Sequence, residues 1–395
     1  MKKVVLAFSG GLDTSFCVKY LKNDLNLQVH SCLVNTGGFN EEDLKSVAKK
    51  AYDLGVSSHV NKNILSEYYN KAIKFMVFGN ILKNNTYPLS VSAERVFQAI
   101  EVINYAKEIG AKYIAHGSTG AGNDQVRFDG IFQILAPEIE IITPIRDLKL
   151  SRQAEIEYLK NAGVDYPWEQ AKYSINKGIW GTSVGGVETL TSDKSLPENA
   201  YPSQLEKTEP INVKLHFEKG EFVGLNGVFD NPVTNILMLE ALASKYAIGR
   251  DIHVGDTIIG IKGRVGFEAA AALIIIKSHH TLEKHVLSKW QQYWKEQLGN
   301  WYGMLLHEGQ YFDPVMRNIE AFLTDSQKTV TGEVLVTLKP YHFNVNGITS
   351  KHDLMKSGFG AYGETNKAWT ADEAKGFIKI LGNANKIYHH INPEL

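Results

Sequence analysis

Three consecutive apolar residues, Val4-Val5-Leu6, run straight into Ala7-Phe8-Ser9-Gly10-Gly11-Leu12-Asp13-Thr14-Ser15. An apolar run without polar alternation belongs to a strand covered on both faces, which calls for a parallel sheet buried between helices. Two glycines at its end let backbone N–H groups converge without Cβ obstruction, and the N-terminus of the following helix adds partial positive charge. Such a turn suits phosphate oxygens. Ser9, Thr14 and Ser15 supply hydroxyl donors, and Asp13 could meet a magnesium ion bridging the phosphates. The turn follows neither the G-x-x-x-x-G-K-[ST] nor the G-x-G-x-x-G pattern.

The rest of the first half repeats this alternation. Strands are expected at 4–8, 29–34, 59–60, 113–117 and 139–143, and helices at 14–25, 41–54, 65–76, around Val96, Ile100 and Ile103, and at 151–162 with Ser151 as N-cap. Alternating strands and helices imply an α/β fold whose ligands sit at the carboxyl ends of the strands. Beyond about residue 170 the texture changes to glycine-containing loops, a few helices and hairpin-like runs at 213–228, 252–266 and 333–341. That reads as an α+β second domain. The chain closes with Thr370-Ala-Asp-Glu373, a capping box, and a heptad stripe through Phe377, Leu381, Ala384, Tyr388 and Ile391. This stripe either packs on its own domain or serves as an arm on another subunit. Three regions are therefore expected, at 1–168, 169–365 and 366–395.

Charge and cysteine use narrow the class. Acidic and basic residues nearly cancel, leaving a formal charge of -1, so neither nucleic acid nor a membrane surface is an expected partner. Cys17 and Cys32 are the only cysteines, too few for a disulfide framework, and a reducing cytoplasm fits them. The adjacent pairs His279-His280 and His389-His390 diverge on a helix or strand, so they read as ordinary polar residues and no fixed metal site is expected. Leu282, Val286, Trp290 and Tyr293 read as one core or interface stripe.

A second dense stretch, AHGSTGAGNDQVRF at 115–128, reads as one loop carrying hydroxyls (Ser118, Thr119), an amide (Asn123), an acid (Asp124) and a cation (Arg127). A zwitterionic amino acid needs an acid for its ammonium and a cation for its carboxylates, and this stretch offers both.

SGGLDTS resembles the phosphate loop of the ATP pyrophosphatase superfamily, whose fold is of the adenine nucleotide alpha hydrolase type. Together with the 115–128 stretch, AKYSINKGIWG at 171–181, GRDIHVGDTIIGIKGRVGFE at 249–268 and EAKGFIKI at 373–380, it resembles the argininosuccinate synthase family. The resemblance implies an ATP-dependent ligase that joins citrulline and aspartate through a citrulline-adenylate, releasing AMP and pyrophosphate. It also implies a homotetramer with the last helix as an arm. Carried over residue by residue, Ala7, Phe8, Ser9, Gly10, Gly11, Leu12, Asp13, Thr14, Ser15, Val34 and Gly117 would hold Mg-ATP. Thr119, Asn123 and Asp124 would hold aspartate. Tyr87, Ser92, Asn123, Arg127, Ser174, Ser183 and Glu268 would hold citrulline. Asp13, Asp124 and Arg127 would carry the chemistry, with Asp124 orienting the attacking amine.

The chain departs from the family pattern at Ser90, Val91 and Glu94, and again at Ala269 to Ala272. Added bulk at Ser90 and Val91 is expected to reshape the citrulline pocket. A modified ureido substrate and a non-catalytic nucleotide-binding regulator are the competing readings.

Overall fold

The structure, a computed structural model, describes residues 1–166, 168, 172–359 and 368–394. Its chain forms two compact units, 1–350 and 351–395. The boundaries expected at 168/169 and 365/366, and Ala171 of the 171–181 motif, touch or lie outside the described residues.

Strand β1 (Lys3–Ala7) pairs in parallel with β2 (Gln28–Asn35) on one side and β4 (Tyr113–Ala115) on the other. With β3 (Ser58–Asn63) and β5 (Glu140–Ile142) it forms a sheet of order β3-β2-β1-β4-β5, parallel throughout. Val4, Val5 and Leu6 are fully buried, as a strand covered on both faces requires. One layer contains α1 (Leu12–Asn23) and α8 (Arg152–Asn161), whose Leu12, Phe16, Ile156 and Leu159 share a core with Val4 and Leu6. On the other side, Val96 and Val102 of α5 (Glu94–Glu108) share a core with Val5 and Ile114.

Local signals explain most helix ends. Asn40 closes a capping box on α2 (Glu41–Leu54), and Gly55 ends it at φ +98°. Ser151 caps α8 as expected. The expected helix at 65–76 forms as α3 (Leu65–Tyr68), a π turn over Tyr69–Ile73 and α4 (Lys74–Phe78). The 115–128 stretch is not one loop, because α6 (Asp124–Leu135) begins inside it and puts Asp124 and Arg127 one turn apart on a helix. A short helix, α7 (Pro144–Asp147), follows β5.

Two antiparallel sheets follow. β6 (Ser174–Gly178) and β7 (Gly181–Gly185) join β11 (Arg250–Asp256) and β12 (Lys262–Glu268) in the order β11-β12-β7-β6. The other is β10-β9-β8-β13-β14, built from β8 (Ile211–Glu218), β9 (Glu221–Leu225), β10 (Val228–Phe229), β13 (Gly332–Lys339) and β14 (His342–Thr349). The expected 333–341 hairpin is a single strand and its turn. Its partner β14 is an edge strand rich in polar residues, which hides its alternation. Helices α9 (Pro232–Ala243), α10 (Ala270–Val286), α11 (Lys289–His307) and α12 (Pro314–Ser326) complete this part. The Leu282-to-Tyr293 stripe does not exist as one face. Leu287 is extended and a Ser288/Gln291 capping box starts α11 anew, so Leu282 and Val286 are core while Trp290 and Tyr293 are exposed.

In the second unit, Thr370 caps α13 (Ala371–Leu381) through the expected box with Glu373. Gly382 separates it from α14 (Asn383–Ile391), so the expected single helix is two. Phe377, Leu381, Tyr388 and Ile391 are all exposed.

Candidate active site

The turn after β1 behaves as its glycines require. Gly10 sits at φ +79°, a left-handed conformation that a side chain rarely adopts. Gly11 occupies the N-cap of α1 without any side-chain cap, which leaves first-turn N–H groups for a ligand. Ser15 Oγ donates to the Gly11 carbonyl at 2.7 Å, and Ser9 Oγ lies 3.5 Å from both Gly11 N and Thr14 Oγ1. Lys50 braces the turn from behind, donating to the Gly10 carbonyl at 2.6 Å while its ammonium sits 3.7 Å from the Trp168 ring centroid and 4.3 Å from that of Tyr166. Asp13 hydrogen-bonds Glu155 of α8, whose carboxyl is pushed up to about 8 by burial and by Asp13. Val34 is buried in β2, and Ala7, Phe8 and Leu12 belong to the strand and core that carry the turn.

Because β1 and β4 are neighbours, their carboxyl ends lie side by side. Gly117, just past β4, stands against the start of α1, where an added Cβ would lie 3.2 Å from Asp13 Cβ. From there the chain reaches the exposed Thr119, then Asn123, whose side-chain oxygen accepts from Ile258 N at 2.8 Å. Asp124 follows at the head of α6.

Asp124 is gripped by two guanidinium groups. Its Oδ1 accepts from Arg127 Nη1 at 2.8 Å and its Oδ2 from Arg95 Nε at 3.0 Å. Burial would raise its pKa, but Arg95 and Arg127 together hold it below the usual carboxylate range. It is thus a fixed anion and a weak base. Arg127 is anchored separately by Nε on the His307 carbonyl at 2.8 Å, while its Nη2 is buried without a partner. Ser92 Oγ is likewise buried and unpartnered. Buried donors left without a partner need an explanation, and a polar ligand would supply one.

Tyr87 is buried beside these groups. Its ring lies 5.4 Å from that of Phe267 on β12 and stacks on His253 at 5.2 Å. Its hydroxyl is engaged by Ser90 Oγ and Val91 N, at 3.4 and 3.3 Å. Ser90 packs against Gly181, at φ +131°, where an added Cβ would come within 2.9 Å of Ser90 Cβ and 2.6 Å of Ala269 Cβ.

Ser183 lies on β7, in register with Phe267 and Asn176, whereas Ser174 lies exposed on β6. Glu268 on β12 has a partner at each oxygen and keeps acceptor capacity on the one that Arg250 reaches. Arg250 Nε reaches one of its oxygens at 2.9 Å, and Ser203 Oγ and N reach the other at 2.5 and 3.2 Å. Sequence reading missed Arg95, Lys83, His253, His307 and Arg250 as participants. Lys83 Nζ lies 3.2 Å from His307 Nδ1, and burial with Arg127 and Lys83 nearby lowers that histidine to about 2. His253 falls to about 4 through burial and Lys83. Both rings are therefore neutral beside two cations, a setting that favours anionic substrate groups.

Among the described residues no cluster of three or more His, Cys, Asp or Glu could hold a metal, and no helix is long and apolar enough to cross a membrane.

Comparison with known proteins adds the family. The model described as the arginosuccinate synthase N-terminal HUP domain matches residues 3–165, and that of the arginosuccinate synthase C-terminal domain matches residues 173–388. The chain is 37% identical over 390 residues to the argininosuccinate synthase of Dictyoglomus thermophilum, covering 98% of this chain and 97% of that one. It is 37% identical over 387 residues to that of Methanocaldococcus jannaschii (97% of each chain) and 34% over 406 residues to that of Xylella fastidiosa (100% and 99%). The glycine turn, the paired strand ends and the doubly held Asp124 therefore sit in a chain that belongs to the argininosuccinate synthase family.

Proposed function

We propose that the chain ligates citrulline and aspartate to argininosuccinate in arginine biosynthesis, converting ATP to AMP and pyrophosphate. The observation that carries this reading is the contact of Gly117 with Asp13, which sets a phosphate-binding turn against an amino-acid pocket at adjacent strand ends. A ureido carbon is a poor electrophile, and its oxygen is a poor leaving group. Attack of the ureido oxygen on the α-phosphorus forms an O–P bond and expels pyrophosphate. The aspartate amine then attacks the ureido carbon, loses a proton and displaces AMP. No covalent enzyme nucleophile is required, and alignment alone supplies about 7–11 kcal/mol in favourable cases.

In this reading the 9–15 turn and the α1 N-terminus bind the phosphates, with Val34 and Gly117 flanking the nucleotide. Magnesium enters as Mg-ATP, with Asp13 the carboxylate nearest the turn. Thr119, Asn123 and Asp124 hold aspartate. Asp124 orients the amine, and as a weak base it leaves the proton to water. Tyr87, Ser92, Asn123, Arg127, Ser174, Ser183 and Glu268 hold citrulline, and the unpartnered Arg127 Nη2 and Ser92 Oγ support that assignment. We assign nucleotide binding to 1–168, substrate binding and multimerisation to 169–365, and an oligomerisation arm to 366–395. The working assembly is a cytoplasmic homotetramer, in keeping with two free, buried cysteines and the exposed apolar residues of α13 and α14.

The test is pyrophosphate release from Mg-ATP with citrulline and aspartate supplied separately and together. Release that needs both, with argininosuccinate identified by mass spectrometry, is the expected result. Folded, ATP-binding protein that releases none would redirect the assignment to a modified ureido substrate.

A further inference from the structure

Glu94 is a carboxylate with almost no water, 1% exposed in the first turn of α5. Its Oε2 accepts from Thr36 Oγ1 at 2.7 Å, just past the end of β2, and its Oε1 from Arg95 Nη1 at 2.8 Å. Adjacent residues on a helix diverge, so this pair forms only because the Arg95 side chain folds back onto Glu94. Gln98 closes the ring, accepting from Arg95 Nη1 at 2.9 Å and donating to Thr36 at 3.3 Å. Arg95 then extends outward, with Nε on Asp124 at 3.0 Å and Nη2 3.4 Å from Asn176 Oδ1 on β6.

Gly178 on β6 completes the arrangement. Its φ lies outside the left-handed region, so conformation does not demand glycine there. A Cβ at 178 would, however, lie 2.3 Å from Glu94 Oε2. The position is kept bare to admit the carboxylate. Burying a carboxylate is costly, and an apolar side chain would fill the same space at lower cost, so the charge needs a reason.

We propose that Glu94 is a positioning residue for ligation: through Arg95 it fixes the carboxylate of Asp124 that orients the aspartate substrate. The proposal rests on the ligase reading above. Arg127 holds Asp124 from one side and is itself anchored on His307, whereas Arg95 takes its aim from Glu94. Thr36 carries this linkage to the end of β2, two residues beyond Val34, so the nucleotide and aspartate sides share one hydrogen-bonded string.

The test compares Glu94→Ala, Glu94→Gln, Gly178→Ala and the double variant Glu94→Ala/Gly178→Ala. KM for each substrate, kcat, and aspartate binding by calorimetry with a non-hydrolysable ATP analogue are measured for all four and the parent chain. Glu94→Ala is expected to weaken aspartate by about tenfold or more, the loss of a charged hydrogen bond, while ATP stays within about twofold. Glu94→Gln keeps one oxygen for Arg95 but loses the charge and the second acceptor, so aspartate binding should fall between that of the parent and that of Glu94→Ala. Gly178→Ala should resemble Glu94→Ala, because its methyl displaces the carboxylate, and the double variant should be no worse than Glu94→Ala alone. Equal loss for all substrates with a lowered melting temperature, or additive effects in the double variant, would overturn the proposal. Absent turnover in the parent chain would count against the ligase reading, while the calorimetric comparison would still decide the role of Glu94. Should the alanine variants not fold, aspartate binding in folded Glu94→Gln equal to that of the parent would overturn it.

Discussion

Gly117, just past β4, and Asp13, in the first turn of α1, come so close that one methyl group at 117 would crowd the Asp13 backbone at 3.2 Å. Neighbouring strand ends force this approach, and in the proposed function it would set the spacing between phosphate and amino acid. Gly117→Ala is expected to push the turn after β1 out of line. The crowding asks for a shift of a few tenths of an ångström, and kcat/KM for ATP is expected to fall by about tenfold or less. Steady-state kinetics check it, and an unchanged value would mean that the turn yields freely.

Asp124 should separate chemistry from nucleotide binding. Asp124→Ala is expected to lower ligation by about a hundredfold or more while ATP binding, measured by calorimetry, is retained. Its stability effect has a definite sign. Because Arg95 and Arg127 depress its pKa in the folded state, the carboxylate contributes stability above its unfolded value, and the contribution fades as pH falls through the lower folded value. Its side chain is 39% exposed, so Asp124→Asn should cost about 1–2 kcal/mol in urea unfolding at pH 7. The gap should narrow below about pH 4.

Glu94 carries the opposite sign. Burial pushes its pKa up to about 7 against the pull of Arg95 and Thr36. The folded state therefore binds its proton more tightly than the unfolded chain, and stability falls as pH rises from about 4.5 to about 7. Glu94→Gln should flatten that part of the melting-temperature profile. A parallel decline in parent and variant would assign the slope to other groups.

How much of this could be read along the chain depended on sequence distance. The 9–15 turn was legible because backbone geometry alone demands glycine at Gly10, and the parallel sheet was legible because an unbroken Val4-Val5-Leu6 run has no exposed face to offer. The grip on Asp124 was half legible. Arg127 stands three residues away, whereas Arg95 arrives from 29 positions upstream and the His307 carbonyl that anchors Arg127 from 180 downstream. Arg250 and Glu268 sit in a single quoted motif, but only the hairpin register makes them partners. Residues whose significance is a long-range pairing leave no local pattern.

Gly181 should tolerate nothing larger. An alanine there meets Ala269, Ser90 and the Glu268 carbonyl at 2.6, 2.9 and 3.0 Å from a left-handed backbone. Overpacking and backbone strain together predict a loss of about 2–4 kcal/mol in thermal or urea unfolding.

The arm is tested by truncation after Ala368, which removes α13 and α14. Light scattering is expected to show a smaller particle than the full chain. An unchanged mass would assign subunit association to other surfaces, among them the exposed Trp290, Trp294 and Trp301 of α11.

The bracing of Gly10 by Lys50 has an optical consequence. The ammonium that holds the turn also lies over the Trp168 indole, so any movement of the turn on binding phosphate shifts a charge relative to a fluorophore. The chain has six tryptophans, and this one shares a cation with the turn proposed to hold the nucleotide. Its emission offers a built-in, label-free reading of ATP arriving, independent of turnover.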